Sequence, residues 1–236
     1  TRLVSDWSSD VCSSDLDVII GAQAFNGAAD PRLTTLNGVS CATCHFDGLS
    51  DGRVWQGING GRNTPLLYGL ADTAPYLADG GWDDLADVEL KIRALQAGEG
   101  LIEDLERADP AGVHAGLSDD LDALTAYLLP LPAPVLPATG TPESRARGRE
   151  VFAEQGCAAC HSGPAFTNQQ SADVGTGGLF DTPSLRWLSL SAPYFHDGRA
   201  AALRGVFELP GAHQLIAVLP AAGIDALLDY LLSLPE

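Results

Sequence analysis

Methionine is absent from this sequence, and basic residues are scarce. Not one of the 236 residues is Met, not even the first. That absence implies a chain that is processed, cut from something longer, or incomplete. It also removes the Met thioether from any later list of metal ligands. Lys and Arg total 13 against 31 Asp and Glu, a formal net charge of −18. Phosphate backbones are gripped by Lys and Arg, so this balance excludes a nucleic-acid binder on electrostatic grounds. It permits a basic protein partner, or a soluble acidic exported protein. No apolar run approaches the roughly 18 residues of a membrane-spanning helix, so no transmembrane segment is expected. Runs of β-branched residues are few, which predicts little or no sheet. What remains is a globular composition, with 45% apolar and 19% charged residues. The length suits one large or two small domains.

Residues 1–16, TRLVSDWSSDVCSSDL, have no apolar period, no basic start and no apolar core of the signal-peptide kind. They resemble translated sequencing-adapter read-through, and are set aside from fold reasoning together with Cys12. On this reading the native N-terminus is missing, and with it any export signal or upstream domain. The alternative is a genuine Ser/Asp-rich tail.

Four cysteines then remain, in two pairs: Cys41-Ala-Thr-Cys44-His45 and Cys157-Ala-Ala-Cys160-His161. C-x-x-C-H is the attachment signature of c-type haem. Two thiols about one helical turn apart add to the two vinyl groups, and the following His lies under the ring as proximal iron ligand. A zinc ribbon wants its C-x-x-C pairs about 15–20 residues apart, whereas more than 100 residues separate these. A thioredoxin-like motif wants a βαβ setting that the flanking sequence does not offer. Structural disulfides leave the His after each pair unexplained. The reading is two covalently bound haem c groups, with His45 and His161 as proximal ligands.

The two halves echo each other. Thr64-Pro65-Leu66-Leu67, Ala74-Pro75-Tyr76 and Asp79-Gly80 recur 118 residues later. The copies are Thr182-Pro183-Ser184-Leu185, Ala192-Pro193-Tyr194 and Asp197-Gly198. DALTAYLLPLP (122–132) is matched by DALLDYLLSLP (225–235). Helices are predicted before each C-x-x-C-H, over Asp17–Asn26 and Glu143–Gln155, the second with Thr141 as N-cap and Pro142 at the first position. Each half closes with an amphipathic helix. Ser118 caps the first of these, Asp119 and Asp120 sit where the helix dipole favours negative charge, and Pro130 and Pro132 stop it. The predicted division is therefore a first haem domain over 17–132, a stiff Pro-rich linker over 133–142 and a second haem domain over 143–236. The fold class is all-α, each domain wrapped round its haem. A domain of this size has a modest core, so folding without haem is expected to be poor.

SCATCHFDGLSDGRVW, RNTPLLYGLADTAPY, GREVFAEQGCAACHSGPAFT and DTPSLRWLSLSAPYFHDGRAAAL resemble the bacterial di-haem cytochrome c peroxidase and MauG superfamily, and the likeness covers nearly all of 17–236. The resemblance implies two tandem cytochrome c-like domains, export to the periplasm or cell surface, and electron transfer between the haems. In the peroxidases one haem reduces hydrogen peroxide and the other feeds it electrons. Three features of that activity are absent or replaced here. The displaceable His expected before the first RNxP block is missing from Asp51-Gly52-Arg53-Val54-Trp55. The positions of the catalytic Gln and Glu hold Tyr76 and Ala86, with Asp87 adjacent. The Met expected after the second HDGxA block is missing from Glu208–His213.

Three histidines remain for the sixth iron positions. His213, near the missing Met, is the candidate distal ligand of the second haem; the alternative is an exposed loop His. His114 is a candidate for the first haem, or else a surface or capping residue. His196, in the YFHDG motif, suits a hydrogen bond to a propionate or the backbone better than ligation. Tyr76 and Tyr194 are fallback ligands or core residues. With no Met, neither haem is His/Met, and a bis-His pair predicts a low potential. If one position is open, Arg53 is a candidate to stabilise a bound anion or peroxide cleavage, its alternative being a propionate partner. Asp87 is then a candidate acid/base, its alternative being the solvated face of an acidic helix with Asp83, Asp84 and Glu89. Trp55, Trp82 and Trp187 serve either as an electronic bridge or as ordinary packing. The functional expectation is one-electron transfer in the cell envelope, with a redox partner protein such as a basic cytochrome or cupredoxin. The alternatives are a hydrogen peroxide reductase or MauG-like oxidase, and the C-terminal redox module of a larger surface protein.

Overall fold

The computed structural model describes residues 10–57, 60–104, 107–109 and 112–234, with side chains from residue 15 onward. Residues 1–9 and the Cys12 side chain of the adapter-like segment lie outside that range. Regular structure is mainly helical. The helices are α1 (Asp10–Asn26), α2 (Cys41–Cys44), α3 (Val88–Ala94), α4 (Asp119–Leu128), α5 (Pro142–Glu154), α6 (Leu203–Val206) and α7 (Ala221–Leu231). Sheet is sparse among the described residues, confined to two small antiparallel ladders. Strand β1 (Val54–Gly57) pairs with β2 (Gly60–Asn63), and β3 (Ser171–Ala172) with β4 (Phe180–Asp181).

The chain forms two compact units. One comprises residues 1–48, 67–71 and 82–132; the other comprises 49–66, 72–81 and 133–236. This differs from a linear division at residue 132. Segments 49–66 and 72–81 precede the linker in sequence but pack with the second half. The reason is visible in their hydrogen bonds. Asn63 at the end of β2 donates its backbone N–H to the His196 carbonyl at 2.8 Å and its side-chain amide to the Pro193 carbonyl at 2.6 Å. The Asp181 N–H in β4 donates to the Ala78 carbonyl at 3.0 Å.

In the first unit, α1 packs on α4. Gly21 makes this possible: a Cβ there would collide with the Ala123 carbonyl and the Tyr127 Cβ. Phe25, one turn further on, sets its ring against Tyr127 with centroids 5.4 Å apart. Leu121 and Leu124 are fully buried at this contact. Ser118 begins α4 as predicted, its Oγ accepting the Leu121 N–H at 3.4 Å.

The second unit repeats the arrangement with α5 on α7. Gly148 lies against the Ala226 carbonyl and the Tyr230 Cβ. Phe152 meets Tyr230 edge-on at 5.5 Å. Val151, Ile224 and Leu227 are buried beneath. Thr141 caps α5, its Oγ1 accepting the Ser144 N–H at 3.1 Å, with Pro142 in the first turn. The 118-residue repeat is also a backbone repeat. Leu77 and Phe195 both have positive φ (69° and 64°), as do Gly80 and Gly198 (67° and 66°), and both Ala-Pro bonds are cis.

Candidate haem sites

The two C-x-x-C-H segments adopt the same tight turn. The His45 N–H donates to the Cys41 carbonyl and the His161 N–H to the Cys157 carbonyl, each at 2.9 Å. This brings the two thiols of each pair to successive corners of one turn. The first segment is entered through Ser40, whose N–H donates to Thr43 Oγ1 at 2.9 Å. The second is entered through Gly156 at φ 70°, a left-handed conformation that glycine adopts without steric cost. All four cysteines are half-buried and none is in a disulfide. Burial pushes the Cys41 and Cys157 thiols up. Gln96 Nε2 lies 3.4 Å from Cys41 Sγ.

In the second unit, His161 Nδ1 donates to the Phe166 carbonyl at 3.2 Å. That bond fixes the tautomer and leaves Nε2 as the nitrogen for iron. Burial holds the His161 imidazole below its ordinary range, partly offset by the carbonyls of Phe166 and Pro183. His213 stands across from it, with ring centroids 6.3 Å apart at an interplanar angle of 47°. His213 Nδ1 is buried without a hydrogen-bond partner. Burial, and then the proximity of His161, lower its basicity. Lowered basicity at two neighbouring imidazoles favours nitrogen lone pairs that a metal could share.

His196 is elsewhere in this unit. Its ring stacks on Phe180 at 3.7 Å and 14°, with Arg62 on the Phe180 ring at 5.5 Å. Its carbonyl receives the Asn63 N–H. Tyr194 donates its hydroxyl to the Leu188 carbonyl at 2.7 Å, which matches its packing role. Arg53 is exposed at the start of the β1–β2 hairpin, its N–H on Asp51 Oδ1 at 2.9 Å.

In the first unit, two expectations are corrected. His114 is not a surface residue: it is fully buried. Asp87 and Glu89 are not on a solvated face: Asp87 is 6% exposed and Glu89 0%. The sequence shows a run of acids there, but tertiary partners turn two of them inward. Glu89 accepts from Arg93 Nε at 2.8 Å, from the Leu101 N–H at 2.9 Å and from the Ile102 N–H at 3.3 Å. Asp87 Oδ1 is 2.5 Å from His114 Nδ1. The Asp87–His114 pair spans 27 residues, and nothing in local sequence announces it.

The residues therefore fit a haem in each unit by observation: paired thiols on one turn, a proximal imidazole, and orphaned buried imidazole nitrogens on His213 and His114.

No family model matches the sequence. Among curated proteins, the chain is 28% identical over 229 residues to the methylamine utilization protein MauG of Methylorubrum extorquens, covering 76% of this chain. It is 25% identical over 262 residues to a cytochrome c551 peroxidase of Pseudomonas aeruginosa, covering 87% of this chain and 75% of that protein. Among solved structures, a MauG-like protein associated with microbial copper homeostasis superposes with a TM-score of 0.68. That match has 20% identity and covers 99% of this chain and 91% of the other. The chain is thus similar in sequence to MauG proteins and bacterial cytochrome c peroxidases, and in fold to a MauG-like protein and a dihaem peroxidase. The two C-x-x-C-H segments are the positions at which covalent haem c groups would attach. The chain spans only 65% of the length of the MauG relative. No described helix is long and apolar enough to cross a membrane.

Proposed function

We propose that this chain is a one-electron carrier of the cell envelope, periplasmic, with both haems bound through the C-x-x-C-H segments. Cys41 and Cys44 hold the first haem and Cys157 and Cys160 the second. His45 and His161 are the proximal ligands, and His213 is the sixth ligand of the second iron. Haem iron supplies a reversible one-electron couple whose potential its axial ligands set. The chain's own residues do the rest. His161 is oriented by the Phe166 carbonyl. Burial lowers the basicity of His161 and His213, which favours both as donors to a metal.

The observation that carries this reading is the 6.3 Å between the His161 and His213 ring centres. Two nitrogen–metal bonds of about 2 Å, with each ring centre a further ~1.1 Å beyond its nitrogen, span roughly 6 Å. That separation leaves room for one metal ion, which both imidazoles could hold. Ligation by two imidazoles fills the iron, which suits electron transfer rather than small-molecule activation.

The test is the ferric EPR spectrum of the holoprotein and of His213→Ala. The proposal expects a new high-spin signal from one haem in the variant, at unchanged haem content. A second haem whose spectrum is unmoved by His213→Ala overturns the assignment. The likeness to the cytochrome c551 peroxidase favours a second reading, peroxide reduction, which needs one open iron position. Turnover with hydrogen peroxide and a reduced donor distinguishes it.

A further inference from the structure

His114 is completely buried, whereas His45, His161, His196 and His213 are each half-buried. Its two ring nitrogens are treated very differently. Nδ1 faces the Asp87 carboxylate at 2.5 Å, so Nδ1 carries the proton and donates it. Nε2, on the far side of the ring, is buried with no hydrogen-bond partner. A buried imidazole nitrogen with a lone pair and no donor costs free energy unless something accepts that pair.

The fold holds this arrangement from both sides. Asp87 closes a 3-10 turn (Leu85–Asp87) and leads into α3. Asp84 caps that turn by accepting the Ala86 N–H at 2.8 Å. His114 sits in the turn before α4, its carbonyl receiving the Leu117 N–H at 3.2 Å. In the second unit, the loop that leads into α7 also holds a His, His213, at a different distance from its helix, and there it faces the proximal His161. The two units share the crossed helices, the C-x-x-C-H turn and the closing helix.

We infer that His114 Nε2 is the sixth ligand of the first haem iron, opposite His45, and that Asp87 is its positioning residue. The inference rests on the haem-carrying reading above. A ligating imidazole characteristically donates its other N–H to a carboxylate or carbonyl, which fixes the tautomer and makes the ligating nitrogen more electron-donating. Asp87 does this for His114 as the Phe166 carbonyl does for His161. The ligand therefore lies about sixty residues downstream of the Asp51–Trp55 stretch, which holds no His. Both irons are then six-coordinate. His114 serves instead as a distal acid/base only if the first iron is open, which the same measurement reads.

The experiment uses the full-length ferric holoprotein. Near-infrared magnetic circular dichroism and EPR of the wild type are expected to show bis-imidazole, low-spin ligation at both haems. His114→Gly is expected to convert one haem to high spin, and added imidazole to restore the low-spin signal. Asp87→Asn is expected to remain low-spin and to shift one midpoint potential upward, because a neutral acceptor replaces an anionic one; a purely structural Asp87 would leave the potential in place. A high-spin haem in the wild type that His114→Gly leaves unchanged overturns the inference. So does bis-imidazole ligation at one haem only, where that haem is the one His213→Ala alters. In both cases the His213 assignment stands or falls on its own variant.

Discussion

Gly148 lies directly on the backbone of Ala226. A side chain of any size at 148 would meet the Ala226 carbonyl and the Tyr230 Cβ. Gly21 stands in the same relation to Ala123 and Tyr127. Each unit is thus closed by a helix crossing that only hydrogen at one position permits.

Substituting that hydrogen forces α5 away from α7. Overpacking a core by a single methyl typically costs about 1–3 kcal/mol, and more where the obstacle is backbone. Gly148→Ala is expected to lower the thermal midpoint of the second unit by roughly 10 °C or more, at about 4 °C per kcal/mol or above for a domain of this size. Gly148→Val is expected to prevent its folding. The loss of the second haem's Soret signal on heating, compared with wild type, is the check.

Glu89 accepts the buried N–H groups of Leu101 and Ile102, and it also holds Arg93. Breaking a buried pair by deleting one partner costs about 3–5 kcal/mol, because the other charge is left stranded. Glu89→Ala is expected to show that loss in urea unfolding and to accelerate amide exchange at Leu101 and Ile102. Glu89→Gln, which keeps an acceptor, is expected to retain part of the protection.

Burial pushes the Asp181 carboxyl up to about 6, and Asp181 Oδ1 is buried without a partner. The ordinary aspartate value is about 3.9, so the native state binds this proton more tightly than the unfolded chain. Stability from this group is fully present below about pH 4 and is lost as pH rises towards 6. Asp181→Asn is expected to stabilise the protein at pH 7 by on the order of 2 kcal/mol and to make no difference near pH 4. Parallel denaturant titrations at the two pH values measure this.

With a net charge of −18, reduction by a basic donor is expected to be steered by long-range attraction. The second-order rate should fall by roughly tenfold or more between low salt and physiological ionic strength. An acidic donor is expected to react slowly and to speed up with salt. Stopped-flow reduction across a salt series measures both.

The chemistry of this chain was far more legible than its packing. Attachment thiols and proximal histidines are contiguous in C-x-x-C-H, and the caps Thr141 and Ser118 act within four residues of themselves, so a local reading captures them. The Asp87–His114 pair and the inward turn of Glu89 are tertiary. A run of acids reads as a solvated face until partners from other segments are known. The β1–β2 hairpin was also missed. Its strands are short and glycine-rich and carry no alternating apolar pattern. The deep burial of His114 has no sequence signature beyond its place before the closing helix.

The bonds from Asn63 to Pro193 and His196 have a consequence for how the molecule comes into being. The hairpin leaves the ribosome about 130 residues before the loop that receives it, and no cut at the linker yields two self-sufficient halves. The second unit is completed only when its last quarter has been made, with an early-made segment waiting for its partner. Pairings of such wide separation slow folding. They also mean that the halves cannot be exchanged as cassettes between related proteins: a graft of 133–236 would arrive without the strand pair that braces its own YFHDG loop.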